Sequence, residues 1–131
     1  MTFDEASRRI KRGDLAAIQR ALDAGLNPSL TNRFSWTLLM MAALAGNVTV
    51  GRLLISKGAD FNRMNDFGET ALSLAAHKGH LPFLELLLSS GASLQCRPHG
   101  HSLDQWVINT SGLSRDKIES ILDLIGRSRL N

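Results

Sequence analysis

Small apolar residues recur along this chain with a period of about 33 residues. Each period contains two short apolar blocks, and a glycine follows each block. The first glycine series keeps this period throughout, and a second series with the same period follows it by 12 residues. The two series are Gly13, Gly46, Gly79 and Gly112, and then Gly25, Gly58 and Gly91. A fixed period of this length indicates a repeat protein, in which each unit packs on its neighbours.

Each period predicts two short antiparallel helices joined by a tight turn. Thr37 and Thr70 are suitable N-caps for the first helix, which should end just before the first glycine. Pro82 suits the first turn of the second helix, because its missing N–H would have no helical partner there. The glycine after each helix permits the positive φ that a helix terminus often adopts. We therefore predict units that bury their apolar faces only by stacking.

The third period, GETALSLAAHKGHLPFLELLLSSGASL, resembles an ankyrin repeat. The period itself agrees, since repeats of that family are about 33 residues long. The resemblance implies an all-α ankyrin-repeat solenoid of about four helix-turn-helix units in one domain. The predicted units are residues 1–31, 32–64, 65–97 and 98–131. The family's T-P-L-H segment reads TLLM and TALS here, so we expect some hydrogen bonding by its histidine to be missing.

The fourth unit departs from the repeat. Gly100 stands one residue short of the place that the period predicts, and no glycine stands at position 124. A helix from about Ser114 to Ile125 should carry apolar residues on one face and charged residues on the other. We expect a diverged cap in which Trp106 covers the end of the stack, the alternative being that Trp106 extends a binding face.

The overall composition is that of an ordinary globular domain, with 44% hydrophobic and 21% charged residues and a formal net charge of +3. The excess cations lie mainly near the two ends, and a solvated surface explains them adequately. One cysteine allows no internal disulfide, no apolar run approaches the about 18 residues of a membrane span, and the polar N-terminus is not a signal peptide. We expect a cytoplasmic protein, without membrane contact, that acts alone from its own Met1.

Motifs of catalysis and metal binding are missing from the sequence. No segment resembles a nucleophile elbow, a Gly-rich phosphate loop or an HExxH helix. Cys96, His99 and His101, with His77 or His80 as a further ligand, are candidate metal ligands, yet C-x-x-H-x-H has no second pair at zinc-finger spacing. The sequence therefore predicts a protein that is not an enzyme, with no cofactor and no metal.

The ankyrin resemblance implies a partner-binding face made of loop tips and the ends of the inner helices. Phe34 and Phe67 are one period apart, so they should lie side by side on adjacent tips, with Trp36 just inside them. Exposed aromatic rings often mark interfaces, although the rings of Phe34 and Phe67 could instead fold back onto the next loop. The other predicted contact residues are Lys11, Arg12, Leu44, Glu69, His77, Lys78, Arg97 and His101.

The function implied by the resemblance is a protein–protein interaction module. We expect it to work as a stand-alone inhibitor or immunity-type protein, whose partner protein carries an acidic patch facing the basic flanks. The alternative is a nucleic-acid-binding accessory protein that uses the basic ends, and this alternative predicts binding that weakens steeply with salt.

Overall fold

The computed structural model describes residues 1–110 and 112–130, and its helices form antiparallel pairs. In chain order the helices are α1 (Phe3–Arg12), α2 (Leu15–Asp23), α3 (Leu38–Ala45), α4 (Val48–Ser56), α5 (Ala71–Lys78), α6 (Leu81–Ser89), α7 (Leu103–Ile108) and α8 (Arg115–Arg129). A short 3₁₀ turn, Pro98–Gly100, precedes α7. The predicted all-α repeat solenoid is confirmed.

Alternate helices form two rows. The inner row is α1, α3, α5 and α7, and the outer row is α2, α4, α6 and α8, with each helix packed on the next member of its row. Alanine pairs on α3 and α5 are fully buried, and their small side chains let the inner helices approach closely. One buried apolar cluster runs from Ile10 on α1 to Ile125 on α8. The inner row and its connecting loops thus present one continuous face.

Side chains and glycines define the ends of the inner helices. The Thr70 hydroxyl accepts a hydrogen bond from the Ser73 N–H, and the Ser73 hydroxyl oxygen accepts one from the Thr70 N–H at 2.9 Å. Thr37 caps α3 in the same way. Gly46 and Gly79 end α3 and α5 with φ of 68° and 73°, in the predicted left-handed conformation.

A histidine connects two neighbouring units, although not the histidine of the T-P-L-H segment. His80 is the N-cap residue of α6, and its Nε2 lies 3.1 Å from the carbonyl oxygen of Leu44. The ring fills the space beside Gly46, where a Cβ would lie 2.7 Å from its Nδ1. The hydrogen bonding that we expected to be missing is therefore partly supplied from this second position.

The last unit has a short inner helix and a long outer helix. α7 has 6 residues, whereas α8 has 15 and ends about one turn beyond the predicted Ile125. Ile121 and Ile125 are fully buried against the core, and the opposite face carries the Arg115–Glu119 ion pair. This is the amphipathic cap that the sequence predicted. Within residues 1–110 and 112–130, no helix combines the length and the apolar character that crossing a membrane requires.

Candidate partner-binding face

Three loops, which we call fingers, project between consecutive units: finger I (residues 31–37), finger II (residues 64–70) and finger III (residues 97–102). An asparagine side chain closes each of the first two. The Asn32 Oδ1 accepts hydrogen bonds from the Phe34 and Trp36 N–H groups at 2.9 and 3.0 Å. The Asn65 Oδ1 makes the equivalent bonds to Phe67 and Glu69 at 2.9 and 3.0 Å. This repeated geometry places the aromatic residues at the tips.

The fingers are also joined to one another through their backbones. The Asp66 N–H donates to the Phe34 carbonyl at 3.0 Å, and the His99 N–H donates to the Phe67 carbonyl at 2.8 Å. The tips of all three fingers are therefore held in a fixed row.

Five rings form a continuous series along this row, which we call the aromatic ladder; Phe34 and Phe67 are tilted by 37° to each other, and the other neighbouring rings are stacked. Its ring centroids are 6.5 Å apart for Phe34–Phe67, 5.6 Å for Phe67–His99, 5.4 Å for His99–Trp106 and 4.9 Å for Trp106–His77. Phe34 and Phe67 remain 42% and 44% exposed. These two rings therefore contact each other, as predicted, and still present a large part of their surface to solvent.

Trp106 does not cover the end of the stack, and that expectation was wrong. Its indole N–H donates to the Ser73 carbonyl at 3.1 Å, so the ring lies on the inner face between two histidine rings. α8 covers that end instead, through Ile121 and Ile125. Trp106 thus extends the face, which is the alternative that the sequence left open.

His99 is the ladder residue that the sequence reasoning missed as a contact residue. Finger III is one residue shorter than finger II, so His99 occupies the place of Phe67 and Gly100 that of Gly68. Gly68 and Gly100 both have positive φ, 74° and 82°. The one-residue displacement of Gly100 was the available signal, because aligning the two glycines brings His99 onto Phe67.

Glu69 was predicted to lie on the exposed face, and this is wrong. The residue is only 6% exposed, and its carboxylate accepts a hydrogen bond from the Asn65 amide at 2.9 Å. His99 Nε2 lies 3.6 Å from the other carboxylate oxygen. Glu69 therefore closes finger II from inside and supports the ladder from beneath.

His77 joins the ladder to the end of α7. The Thr110 hydroxyl donates to the Trp106 carbonyl at 2.9 Å, so its oxygen can accept the N–H of His77 Nδ1, which lies 3.2 Å away. Burial lowers the pKa of His77, and the charge of Lys78 acts in the same direction. The neutral ring with its proton on Nδ1 fits both observations.

A groove, which we call the trough, lies beside the ladder between α1 and α3. It consists of two adjoining cavities of about 310 and 290 Å³, which share Ser7, Met41 and Leu44. Its lining residues are Phe3, Asp4, Ser7, Lys11, Asn32, Trp36, Met41, Leu44, Ala45 and Lys78. Trp36 is only half-buried and packs against the core as well as lining the trough.

The remaining predicted contact residues are divided between two places. Arg97 and His101 are exposed on finger III, close to the ladder. Arg12 instead lines a polar groove on α1 together with Glu5, Arg8 and Arg9, outside the trough. The structure therefore brings together most of the predicted face but leaves Arg12 apart from it.

The candidate metal ligands Cys96, His99 and His101 all lie in the part of the chain that the structure describes. No group of three or more His, Cys, Asp and Glu residues there is arranged to hold a metal ion. Cys96 is buried, and burial raises the pKa of its thiol, which keeps it protonated and unreactive.

Comparison with known proteins agrees with the repeat. The family model described as "Ankyrin repeats (3 copies)" matches residues 6–97. The "Ankyrin repeat, SAM and basic leucine zipper domain-containing protein 1" of Neofelis nebulosa is 39% identical over 59 residues, which is 45% of this chain and 12% of that protein. Its counterpart in Equus caballus is 38% identical over 52 residues, 40% of this chain and 11% of that protein. The matched segments thus span about an eighth of these relatives or less. The family model covers well over half of the residues of this chain, and the chain therefore belongs to the ankyrin-repeat family.

Proposed function

We propose that this chain is a non-enzymatic protein–protein interaction module that binds a partner protein through the fingers and the trough. Ankyrin repeats generally act in this way. The observation that carries the proposal is the aromatic ladder, in which the rings of Phe34 and Phe67 are held in place yet remain 42% and 44% exposed. Aromatic surface that is already ordered gives contact area at a small cost in entropy.

The more specific part of the proposal is a stand-alone inhibitor or immunity-type role against a partner with an acidic patch. Exposed cations flank the ladder and the trough, and they would steer such a partner to this face. These cations are Lys11, Lys78 and Arg97. The single buried thiol suits a reducing compartment, so we place the complex in the cytoplasm.

The decisive experiment is affinity capture from the native source with matched variants. The test variant is Phe34→Ala/Phe67→Ala, which removes exposed ring surface from the finger tips. The control is Arg52→Ala/Glu85→Ala, which changes exposed residues on the outer helices α4 and α6. Trp36→Ala is a poorer choice, because Trp36 also packs on the core.

We expect the wild type and the control to retain the same stoichiometric partner, and the test variant to lose at least about tenfold in affinity, as for interface hot spots. Circular dichroism would establish that all variants fold. Equal retention by test and control variants, or no stoichiometric partner for any of them, contradicts the proposal. The inhibitor role then requires that the captured partner be less active with the chain bound than without it.

Nucleic-acid binding by the basic ends is less well supported. Arg9, Arg127 and Arg129 pair with carboxylates at 3.0, 3.2 and 2.7 Å, which reduces the charge that these ends offer to phosphates. A mobility-shift experiment at low salt would decide, because phosphate binding has a steep salt dependence.

A further inference from the structure

The trough has an apolar middle and two ends that differ in charge. Met41, Leu44 and Ala45 form most of the middle, and the small side chain of Ser7 on α1 also lines it. At one end, Lys11 from α1 and Lys78 from α5 face the same cavity, and neither takes part in an ion pair with any described residue. The other end carries charges of opposite sign, Asp4 in the trough and Arg33 beside it. Only the lysine end therefore has a clear electrostatic preference.

The dimensions of the trough restrict what it can bind. It follows α1 from Phe3 to Lys11, a length of about 12 Å at roughly 1.5 Å per residue. An extended peptide of about four residues has the same length. Cavities of about 290 and 310 Å³ lie at the lower limit for small-molecule sites, so they suit one or two side chains each.

On the basis of the proposed function, we propose that the trough binds a short segment of the partner protein with an apolar part and an acidic end. Its apolar side chains lie over Met41 and Leu44, and its carboxylates lie between Lys11 and Lys78. Covering two ammonium groups with an uncharged surface would leave them desolvated without a partner, which is unfavourable. Carboxylates remove that cost and fix the direction in which the segment lies.

Another role for these lysines would be to stabilise the helices, since both stand in the last turn of an inner helix, near its partly negative end. α3, which lies between α1 and α5, has no basic residue in its last turn. Its Leu44 and Ala45 instead keep the strip between the two lysines apolar. The helix-end role affects stability and gives no preference among peptides, so the two roles are separable.

The test is selection from a random peptide display library. The displayed peptides are roughly 16 residues long, about four times the number of extended residues that the trough accommodates. The library is selected against the wild type, against Lys11→Glu/Lys78→Glu, and against the charge-matched control Arg20→Glu/Arg52→Glu on the outer helices. Ala45→Trp is added because a large ring on this exposed residue would fill the trough. Lys11→Gln/Lys78→Gln removes the charges without reversing them, and circular dichroism establishes folding of each variant.

We expect the wild type and the outer-helix control to select apolar peptides with clustered Asp or Glu at one end. The Lys11→Glu/Lys78→Glu variant should select Lys or Arg at that end, and it should bind the wild-type peptides at least about tenfold more weakly, as expected for lost charge pairs. Ala45→Trp should abolish binding of these peptides.

Selection of the same charge pattern by the wild type and the reversed variant would overturn the proposal, and so would selection of no peptide at all. Capture of the native partner distinguishes failure of the trough proposal from failure of the proposed function. If it needs Phe34 and Phe67 but binds Lys11→Glu/Lys78→Glu at full strength, the interaction module stands and the trough proposal fails. If no native partner is captured but the acidic peptides bind as described, the peptide preference of the trough stands, whereas the proposed function fails, and with it the assignment of the segment to a partner protein.

Discussion

At the scale of single residues, His77 shows how the ladder alters the chemistry of a side chain. Burial against Trp106 lowers its pKa, the Lys78 and His99 charges act in the same direction, and the Glu69 carboxylate opposes them. The folded protein therefore binds this proton less tightly than the unfolded chain does. The neutral ring contributes its full stabilisation above the ordinary pKa of about 6.5, and this contribution is lost as pH falls below that value.

We predict that the wild type loses stability relative to His77→Gln as pH is lowered from about 7.5 to about 5, because only the wild type has this proton to bind. Urea unfolding at several pH values measures the difference in free energy of unfolding. His101→Gln is the control, since His101 is exposed outside the ladder. A difference between wild type and His77→Gln that stays constant or widens in favour of the wild type at low pH would contradict the prediction.

The sequence located some residues of the face correctly and misplaced others, for a physical reason. Phe34 and Phe67 were found because they share one position of a fixed period. His99 was not, because the shortened finger III moves it out of register. Glu69 was misplaced because a charged residue in a loop is expected to be solvated. The Asn65 amide, which offsets the cost of burying Glu69, belongs to the folded loop.

At the scale of helices, two glycines that lie within helices differ in how closely other side chains pack against them. A Cβ at Gly51 on α4 would lie 2.6 Å from the ring of Phe83 on α6, a ring that is fully buried. A Cβ at Gly126 on α8 would have no neighbour within 4 Å among residues 1–110 and 112–130. Gly51 thus allows α4 and α6 to approach closely, whereas Gly126 has no packing role.

We predict that Ala at these two positions has opposite effects. Gly126→Ala should raise the free energy of unfolding by about 0.5–1 kcal/mol, because alanine is the better helix former. Gly51→Ala should lower it by about 1–3 kcal/mol, because the added methyl overpacks the core. Urea unfolding measures both, and Gly51→Ala/Phe83→Leu should recover part of the loss. Shifts of the same sign in the two single variants would show that the contact with Phe83 is unimportant.

Helix boundaries were predictable wherever a local signal marks them. Thr37 and Thr70 cap helices as predicted, and Ser114, the predicted start of the last helix, is its N-cap; each side chain accepts from a backbone N–H three residues on. The end of α8 was placed about one turn too early, because Gly126, which directly follows Ile125, lies within the helix and does not end it. Where the end of a helix depends on packing alone, the apolar pattern predicts the buried face of the helix more accurately than it predicts the last helical residue.

At the scale of the whole molecule, the stack contains one core, and the ladder connects fingers I, II and III across it. Units of such a stack depend on contacts with their neighbours, so a short array should unfold as a whole. The two tryptophans report on separate parts of it. Trp36 lies beside α1 and α3, whereas Trp106 lies on α7 against α5.

We predict that a destabilising substitution in the last unit shifts the urea unfolding midpoint equally whether Trp36 or Trp106 reports the unfolding. Trp106→Phe leaves Trp36 as the fluorescent reporter, and Trp36→Phe leaves Trp106. Ile121→Val, which removes one methyl group from a fully buried position on α8, should cost about 1 kcal/mol in either background. The measurement is urea unfolding followed by fluorescence, with the shift in midpoint compared between the two backgrounds. Equal shifts mean that the face from finger I to finger III forms and is lost as one unit. A shift seen by Trp106 alone would mean that the last unit opens independently, and then His99 and Trp106 would leave the ladder while Phe34 and Phe67 remained in place.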